Sequence, residues 1–246
     1  MVRRTKSEAQ ATRDSLLDAA QQTFCRLGVA GTTLDEVARA AGVTRGAVYW
    51  HFSGKEELFK AMCDRSVLPL EEMLERVSRE KHDDPLAALA KVTIEALRAI
   101  ATTPRTREVM EILLHKCEAP SQSDDGMQPM QEADRECQAS VERLILQAVT
   151  RGQVPKKTDA TLAAHAVNAF VSGLVRQWVV DPSAFDLSDV APDLVNMLMT
   201  GLRAAPPLRR TRATQRGNAT PRSSAAIRRT YAANSGSSPR SSSGNR

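Results

Sequence analysis

The sequence predicts an all-α protein of about nine helices, with a small N-terminal three-helix domain followed by a larger domain of long helices. Apolar side chains recur at helical spacing along most of the 246 residues. Cap residues, Pro and Gly mark the points where helices begin and end. No segment shows the alternating apolar pattern that predicts a strand.

Charge is unevenly distributed along the chain. Residues 206–246 hold nine Arg and no acidic residue, residues 1–60 carry a formal charge of +2, and residues 61–205 hold 16 basic against 22 acidic side chains. Because phosphates attract basic segments and repel acidic ones, we expect DNA to be bound by the ends of the chain. The 206–246 segment has few apolar residues to offset ordering entropy and is predicted to be a disordered tail.

The cysteines and the uncharged segments indicate a cytoplasmic protein. The four cysteines show no CxxC spacing, which favours reduced thiols and leaves a redox-sensing thiol as an alternative: Cys25, Cys63, Cys117 and Cys137. The N-terminus shows no signal peptide. The longest uncharged run, 160–175, is too short to span a bilayer and is predicted to be a buried helix.

Two short helices are predicted within residues 33–51, after a first helix over 10–27 that Gly28 ends. Thr33 and Glu36 form a capping box for the first of the two, and Gly42 is placed to end it. Thr44 caps the second helix, which runs to about His51.

Longer helices follow. Ser53 and Glu56 predict a second capping box that opens a helix ending near Glu80, and Asp84-Pro85 predicts the next helix start. Pro104 and Gly152 mark later breaks. The remaining helices are predicted over residues 105–118, 130–151, 158–180 and 188–203.

Two short helices joined by a tight turn at Gly42-Val43 form a helix-turn-helix. The early residues of the second helix are predicted to point toward base edges, and Gly46 allows the backbone to approach DNA closely. Hydroxyl, imidazole and ammonium groups nearby can hold phosphates. The candidate DNA-binding residues are Arg3, Arg4, Lys6, Thr33, Thr44, Arg45, Gly46, Tyr49, Trp50, His51 and Lys55.

Residues 10–60 resemble the TetR family of bacterial transcription repressors. The residues that carry the resemblance are Thr33, Val37, Ala38, Ala41, Gly42, Val43, Gly46, Tyr49, His51, Phe52 and Lys55. The N-terminal arm, the Trp50-His51 pair and the segments 111–118 and 170–178 resemble the AcrR/TtgR-like regulators of multidrug efflux pumps within that family. The resemblance covers about residues 1–205 and leaves the tail out.

The resemblance implies a homodimer on pseudo-palindromic operator DNA, with two recognition helices ~34–36 Å apart. Stripes of apolar and small residues on the last two helices suit a four-helix dimer bundle, although the core of a monomer would show the same stripes. The candidate interface residues are Leu162, Ala166, Ala169, Phe170, Gly173, Val190, Leu194, Met197, Leu198 and Gly201.

The resemblance also implies a pocket for small lipophilic effectors among the fourth to eighth helices. The candidate lining residues are Met62, Ser66, Val67, Met110, Leu113, Leu114, His115, Cys137, Val141, Asn168, Val171, Ser172, Val175 and Trp178. Ser172 stands where TtgR-like sequences carry a carboxylate, and Val67 where AcrR-like sequences carry Glu. We therefore expect neutral or anionic effectors. Effector binding would shift the fourth helix and separate the recognition helices.

The predicted organisation is an arm at 1–9, a DNA-binding domain at 10–54, an effector and dimerisation domain at 55–205 and the tail. The chain shows no nucleophile–base pattern, phosphate loop or metal-ligand spacing, so we expect no enzyme activity, no cofactor, no metal and no membrane partner. A sensor of a metabolite or acyl ester within the same family, and a non-specific nucleoid-binding protein, are the alternatives.

Overall fold

The structure, a computed structural model, describes residues 6–116 and 128–209, with side chains throughout except at 115–116 and 128–131. It confirms the all-α prediction, because within these ranges the one extended pairing is an isolated bridge between Thr158 and Leu208. The described helices are α1 Lys6–Gly31, α2 Leu34–Ala40, α3 Arg45–His51, α4 Lys55–Arg79, α5 Pro85–Thr102, α6 Pro104–Glu111, α7 Gln128–Thr150, α8 Ala160–Val180 and α9 Leu187–Ala204. A π-helical turn, Ile112–Lys116, continues from α6.

Glycines interrupt or end three helices where the sequence predicts it. Gly28, Gly42 and Gly152 have φ of 74°, 66° and 74°. Residues with a Cβ rarely adopt this left-handed backbone conformation, whereas glycine adopts it at no steric cost. A further short helical segment follows Gly28, so α1 extends to Gly31 with a break inside it.

The capping box predicted at Ser53 and Glu56 is wrong by one residue. Gly54 is the N-cap of α4 and has no side-chain cap bond. The Ser53 backbone amide and hydroxyl both donate to Glu57 Oε2, each at 2.7 Å. Because the N-cap is residue 54, the third helical position that can reach back is Glu57, and Glu56 lies one position too early.

Two hydrophobic cores are present in the described part of the chain. The first, here called the head core, joins α1, α2 and α3 to the N-terminal half of α4 through Phe24, Val48 and Phe59. The Phe24 and Phe59 rings meet edge to face, with centroids 5.5 Å apart. The second, here called the effector core, is formed mainly by α5, α7, α8 and α9. The head core therefore continues past the domain boundary predicted at residue 54, which itself remains a prediction.

Helix α6 and the π-helical turn that continues it contribute to both cores. Val109 and Ile112 are fully buried in the head core. Met110 and Leu114, on the opposite side, pack against the effector core. A helix shared in this way joins the two cores mechanically, since it cannot move against one without disturbing its packing on the other.

The C-terminal end of α4 is held on α7 by a polar network. Arg143 Nε and Nη2 donate to the Ser78 hydroxyl at 3.1 and 2.9 Å. Gln147 Nε2 donates to the carbonyls of Ser78 and Glu80 at 3.1 and 2.9 Å. Helix α4 thus begins in the head core and ends on the effector domain.

The prediction that 160–175 forms a buried helix is wrong for one face of α8. Ala163, Ala164 and Val167 are buried in the effector core, whereas Leu162 is 51% exposed. The outward face consists of uncharged and small residues, which explains why composition alone indicated burial. That face is uncovered in the single chain.

Within residues 6–116 and 128–209, no helix is long and apolar enough to cross a membrane. Among the described cysteines, Cys63 is buried, and Cys25 and Cys137 are half-buried. Cys117 and almost all of the predicted tail lie outside the described residues.

Candidate nucleic-acid interface and effector site

Helix α2 begins with a complete capping box. Thr33 Oγ1 accepts from the Glu36 amide at 3.3 Å, and the Glu36 carboxylate accepts from the Thr33 amide at 2.8 Å and from its hydroxyl at 2.9 Å. These bonds lower the pKa of Glu36, and the bond from the Thr33 backbone amide is the largest cause. Thr33 is thus a structural cap in the free protein, and its predicted phosphate contact remains a prediction.

The turn between α2 and α3 has the predicted helix-turn-helix geometry. Gly42 adopts positive φ, and the amide of Val43 donates to the Ala38 carbonyl at 2.9 Å. Thr44 Oγ1 then accepts from the Ala47 amide at 3.3 Å and caps α3. With Val48 fully buried, these local bonds fix the angle at which α3 leaves the head.

The outward face of α3 carries four of the predicted DNA-binding residues. Arg45, Gly46, Tyr49 and Trp50 are exposed, and Trp50 most of all, at 72%. Arg45 is held by two neighbours, with Nη1 3.2 Å from the Asp35 carboxylate and Nη2 3.2 Å from the Tyr49 hydroxyl. The structure therefore presents a pre-ordered cation on this face, and Asp35 is a partner that the sequence prediction missed.

Trp50 and His51 contact each other edge to face, with ring centroids 4.5 Å apart. His51 is half-buried beside the buried Phe52, over whose ring the Arg13 guanidinium lies at 4.9 Å. The ring of Trp50 points away from the head core. A large apolar surface this exposed on α3 is suited to contact with base methyl groups or sugars.

Lys55 is the first residue of α4, at the predicted start of that helix, but its ammonium has partners that the sequence did not indicate. Its ammonium donates to the carbonyls of Val29 and Ala30 at 2.9 and 3.3 Å. These carbonyls lie in the last turn of α1, so Lys55 fastens that turn to the start of α4. The predicted phosphate contact remains a prediction, with at most one ammonium proton left for it.

The basic arm is only partly described. Lys6 is exposed at the first residue of α1, whereas Arg3 and Arg4 lie outside the described residues.

The predicted effector residues are divided between the two cores in the described part of the chain. Met62 is buried in the head core, with Val67 and Leu113 packed beside it. Others belong to the effector core: Val141, Val175 and Trp178, with Met110, Leu114 and Val171 packed against it. The side chain of His115 lies outside the described set.

A groove of about 710 Å³ between α7 and α8 brings together another group of the predicted residues: Cys137, Asn168, Val171 and Ser172. Asn168 Nδ2 donates to Gln138 Oε1 at 2.6 Å. Ser172 is exposed in this groove, so the structure places it on an open surface and away from a closed interior.

Ser66 has the environment of a ligand contact. It is 7% exposed on α4, and its hydroxyl has no hydrogen-bond partner among the described residues. A buried hydroxyl without a partner is destabilising, which favours a role in binding over one in folding. It lies one helical turn from Met62 in the half of α4 that adjoins α6.

Cys137 is not poised for redox sensing. Burial, followed by the nearby Glu71 and Asp134 carboxylates, raises its pKa to about 11. Since the thiolate is the reactive form, a thiol that remains protonated at neutral pH reacts slowly with oxidants.

Half of the predicted dimer residues line one groove between α8 and α9. A groove of about 550 Å³ between these helices is lined by Ala169, Phe170, Gly173, Val190 and Leu194, together with Leu174, Gln177 and Phe185, which the prediction missed. Leu162 and Met197 are 51% and 58% exposed beside it. Ala166 and Gly201 are exposed and Leu198 is half-buried.

No group of three His, Cys, Asp or Glu side chains that could hold a metal ion occurs among the residues described. The site is instead a capped helix-turn-helix with an exposed, partly cationic α3, attached through α4 and α6 to an apolar helical domain. This arrangement defines a DNA-binding regulator of the helix-turn-helix class.

Comparison with known proteins agrees with that class. Residues 16–62 match the model of the bacterial regulatory proteins of the tetR family. Residues 84–203 match the C-terminal region of the MAATS-type transcriptional repressors.

Similarity to individual proteins extends over most of the chain. It is 40% identical over 211 residues to the HTH-type transcriptional regulator TtgR of Pseudomonas putida, covering 85% of this chain and 100% of TtgR. Among solved structures, NalD, the secondary repressor of the MexAB-OprM multidrug efflux pump in Pseudomonas aeruginosa, superposes with a TM-score of 0.71 at 32% identity. That superposition covers 80% of this chain and 98% of NalD. A SmeT–triclosan complex superposes with a TM-score of 0.70 at 35% identity, over 78% of this chain and 91% of SmeT.

The two family models and the similarity to TtgR show that the chain belongs to the TetR family of transcription regulators.

Proposed function

We propose that this chain is a cytoplasmic homodimeric repressor of a multidrug efflux operon, released from a pseudo-palindromic operator by small lipophilic effectors. The exposed α3 face, with Arg45 pre-ordered beside Trp50, carries the DNA-binding half of the proposal. The resemblance to TtgR, NalD and SmeT supports the efflux half. The proposal assigns the chain no catalytic step.

On DNA, α3 would lie in the major groove with its N-terminal residues at the base edges. Gly46 supports this placement, because a Cβ there would meet only the Thr44 hydroxyl, at 3.9 Å. The absence of a side chain lets the backbone approach the duplex. The Arg45 guanidinium would leave Asp35 and donate hydrogen bonds to a guanine edge or a phosphate, both of which are acceptors.

Tight operator binding by α3 requires a dimer. A head with a formal charge of +2 binds weakly alone, whereas two heads held one helical turn apart reinforce each other. The uncovered apolar face of α8 and α9 supports pairing by these two helices, and its small residues allow close approach.

The effector would bind among α4, α6, α7 and α8, where apolar side chains surround few polar groups. The Ser66 hydroxyl supplies an unused hydrogen-bonding atom there. Trp178, with the Arg107 guanidinium 5.8 Å from its ring centroid, supplies an aromatic surface at the border of α6 and α8. This chemistry suits an aromatic, weakly polar and uncharged molecule.

Fluorescence anisotropy with DNA from upstream of the chain's own gene tests the proposal. We expect salt-dependent binding that is at least a hundredfold tighter than to random DNA, and weakening by triclosan in the micromolar range. Equal affinity for random DNA would favour the nucleoid-binding alternative. Release by acyl esters instead of triclosan would favour the metabolite sensor.

A further inference from the structure

A polar joint connects α1 of the head to α4 and α6. Asp18 Oδ1 accepts from Arg65 Nη2 at 2.7 Å and from Arg105 Nη2 at 2.9 Å. One turn further along α1, Gln21 Nε2 donates to the Glu108 carboxylate and to the Arg105 carbonyl. These five side chains are called the joint below.

The joint lies where the head core meets the effector core. Arg105 and Glu108, three residues apart on α6, present one helical face to α1. Arg65 lies in α4 between Met62, which is buried in the head core, and Leu70, which packs on the effector core. The joint therefore bonds the head to both helices that lead into the effector domain.

The joint is incompletely satisfied in the described structure. Gln21 Oε1 and Arg65 Nε are buried and have no hydrogen-bond partner among the described residues. Leaving buried polar atoms unpaired costs free energy, so this contact between α1, α4 and α6 is less stable than a fully paired one would be. Such a contact costs less free energy to displace, which suits the transmission of a conformational change.

The π-helical turn adds a second observation on the same path. The i to i+5 bonding over Ile112–Lys116 inserts an extra residue into the turn that follows α6. On its N-terminal side, Val109 is held in the head core, while Met110 packs on the effector core. A ligand that displaces α6 would therefore also displace Arg105 and Glu108 against α1.

We propose that the joint transmits effector binding to the head, with Asp18 as the positioning residue that holds α1 on α4 and α6 together. The inference rests on the proposed function, because it presumes that the same chain binds an effector and an operator. Loss of the shared carboxylate would leave both binding sites intact and would weaken the coupling between them.

Asp18→Asn tests this, with Asp14→Asn as the matched control. Both variants remove one carboxylate from α1. Among the described residues, however, the Asp14 side chain accepts from the exposed Gln10 alone, at 3.1 Å. The measured quantity is the operator Kd with saturating triclosan divided by the operator Kd without it. We expect D18N to lower this ratio about fivefold or more, and D14N and D18E to leave it unchanged.

Two separate measurements distinguish coupling from damage. The triclosan Kd without DNA and the operator Kd without triclosan should each stay within about threefold of the original in D18N. A retained ratio in D18N would overturn the inference, and so would loss of triclosan binding itself.

Hydrogen exchange tests the joint without any effector. In D18N, the amides of residues 104–111 and 14–24 should exchange about fivefold faster together, while in D14N those of 104–111 should be unaffected. If triclosan does not weaken operator binding by the unmodified chain, the proposed function fails on that point and exchange alone decides the joint. Unchanged exchange at 104–111 in D18N would then overturn it.

Discussion

The Arg45 guanidinium lies 3.2 Å from the Asp35 carboxylate, so the first turn of α3 is tied to the first turn of α2. Both side chains are more than half exposed, which makes the pair weak and easily exchanged. The pair orders the Arg45 side chain before DNA binds, which reduces the conformational entropy that this side chain loses on binding.

Arg45→Ala should weaken operator binding by roughly 5–150-fold, because a guanidinium contact with a base edge is worth about 1–3 kcal/mol. Binding to random DNA should fall much less. Arg79→Ala is the control, because Arg79 pairs with Glu75 at the far end of α4. Fluorescence anisotropy with both DNAs measures the effect, and an equal loss on both would show that Arg45 contacts only phosphate.

Glu57→Gln should lower the free energy of unfolding at neutral pH, whereas Glu56→Gln should not. The Ser53 amide and hydroxyl lower the pKa of Glu57, with the backbone bond as the larger cause. A carboxylate with a lowered pKa stabilises the fold above its unfolded-state pKa, and this is lost as pH falls through the folded-state pKa. Urea titrations at several pH values should therefore show the difference between E57Q and the original chain shrinking as the pH falls through the folded-state pKa of Glu57. A larger effect from E56Q than from E57Q would support the capping box first predicted at Ser53 and Glu56.

Leu162→Glu should convert the dimer to monomers and abolish tight operator binding. It places a charge on the exposed apolar face of α8, where pairing would desolvate it without a partner. Leu146→Glu is matched, because Leu146 is 41% exposed on α7. Light scattering after size-exclusion chromatography gives the oligomeric state. A monomeric unmodified chain would contradict the proposed interface.

Ser66→Ala should weaken triclosan binding while leaving the thermal midpoint unchanged or raised. The hydroxyl is buried without a described partner, so its removal costs the fold little. Thr93→Val is the contrasting variant, because the Thr93 hydroxyl is buried but donates to the Leu89 carbonyl at 2.7 Å. Calorimetry should show a triclosan Kd that is about tenfold higher in S66A and unchanged in T93V. A lowered midpoint with unchanged affinity would assign Ser66 to folding.

Predictions that depended on neighbours in the sequence were confirmed, with one exception. The capping box at Thr33 and Glu36, the turn at Gly42 and the cap at Thr44 each involve groups within five residues of one another. Such hydrogen bonds and φ preferences are satisfied locally, so they can be identified without knowing where the rest of the chain lies. The cap at residues 53–57 failed by one position, because Ser53 could not be distinguished from Gly54 as the N-cap.

Predictions that depended on distant segments were incomplete. Nothing near Lys55 indicates that its ammonium would bond carbonyls 25 and 26 residues earlier. Helical periodicity shows that residues 105–118 have an apolar side, but not that Val109 and Met110 join different cores. The polar joint was missed because Asp18 and Arg105 are 87 residues apart.

The sequence by itself determined the class of the fold and the helix-turn-helix, because both follow from local caps, turns and helical spacing. Only the tertiary structure decided how that head is attached. Whether Asp18 meets Arg105, or which face of α8 stays uncovered, depends on how whole helices pack, and packing is set by the combined shapes of segments far apart in the chain.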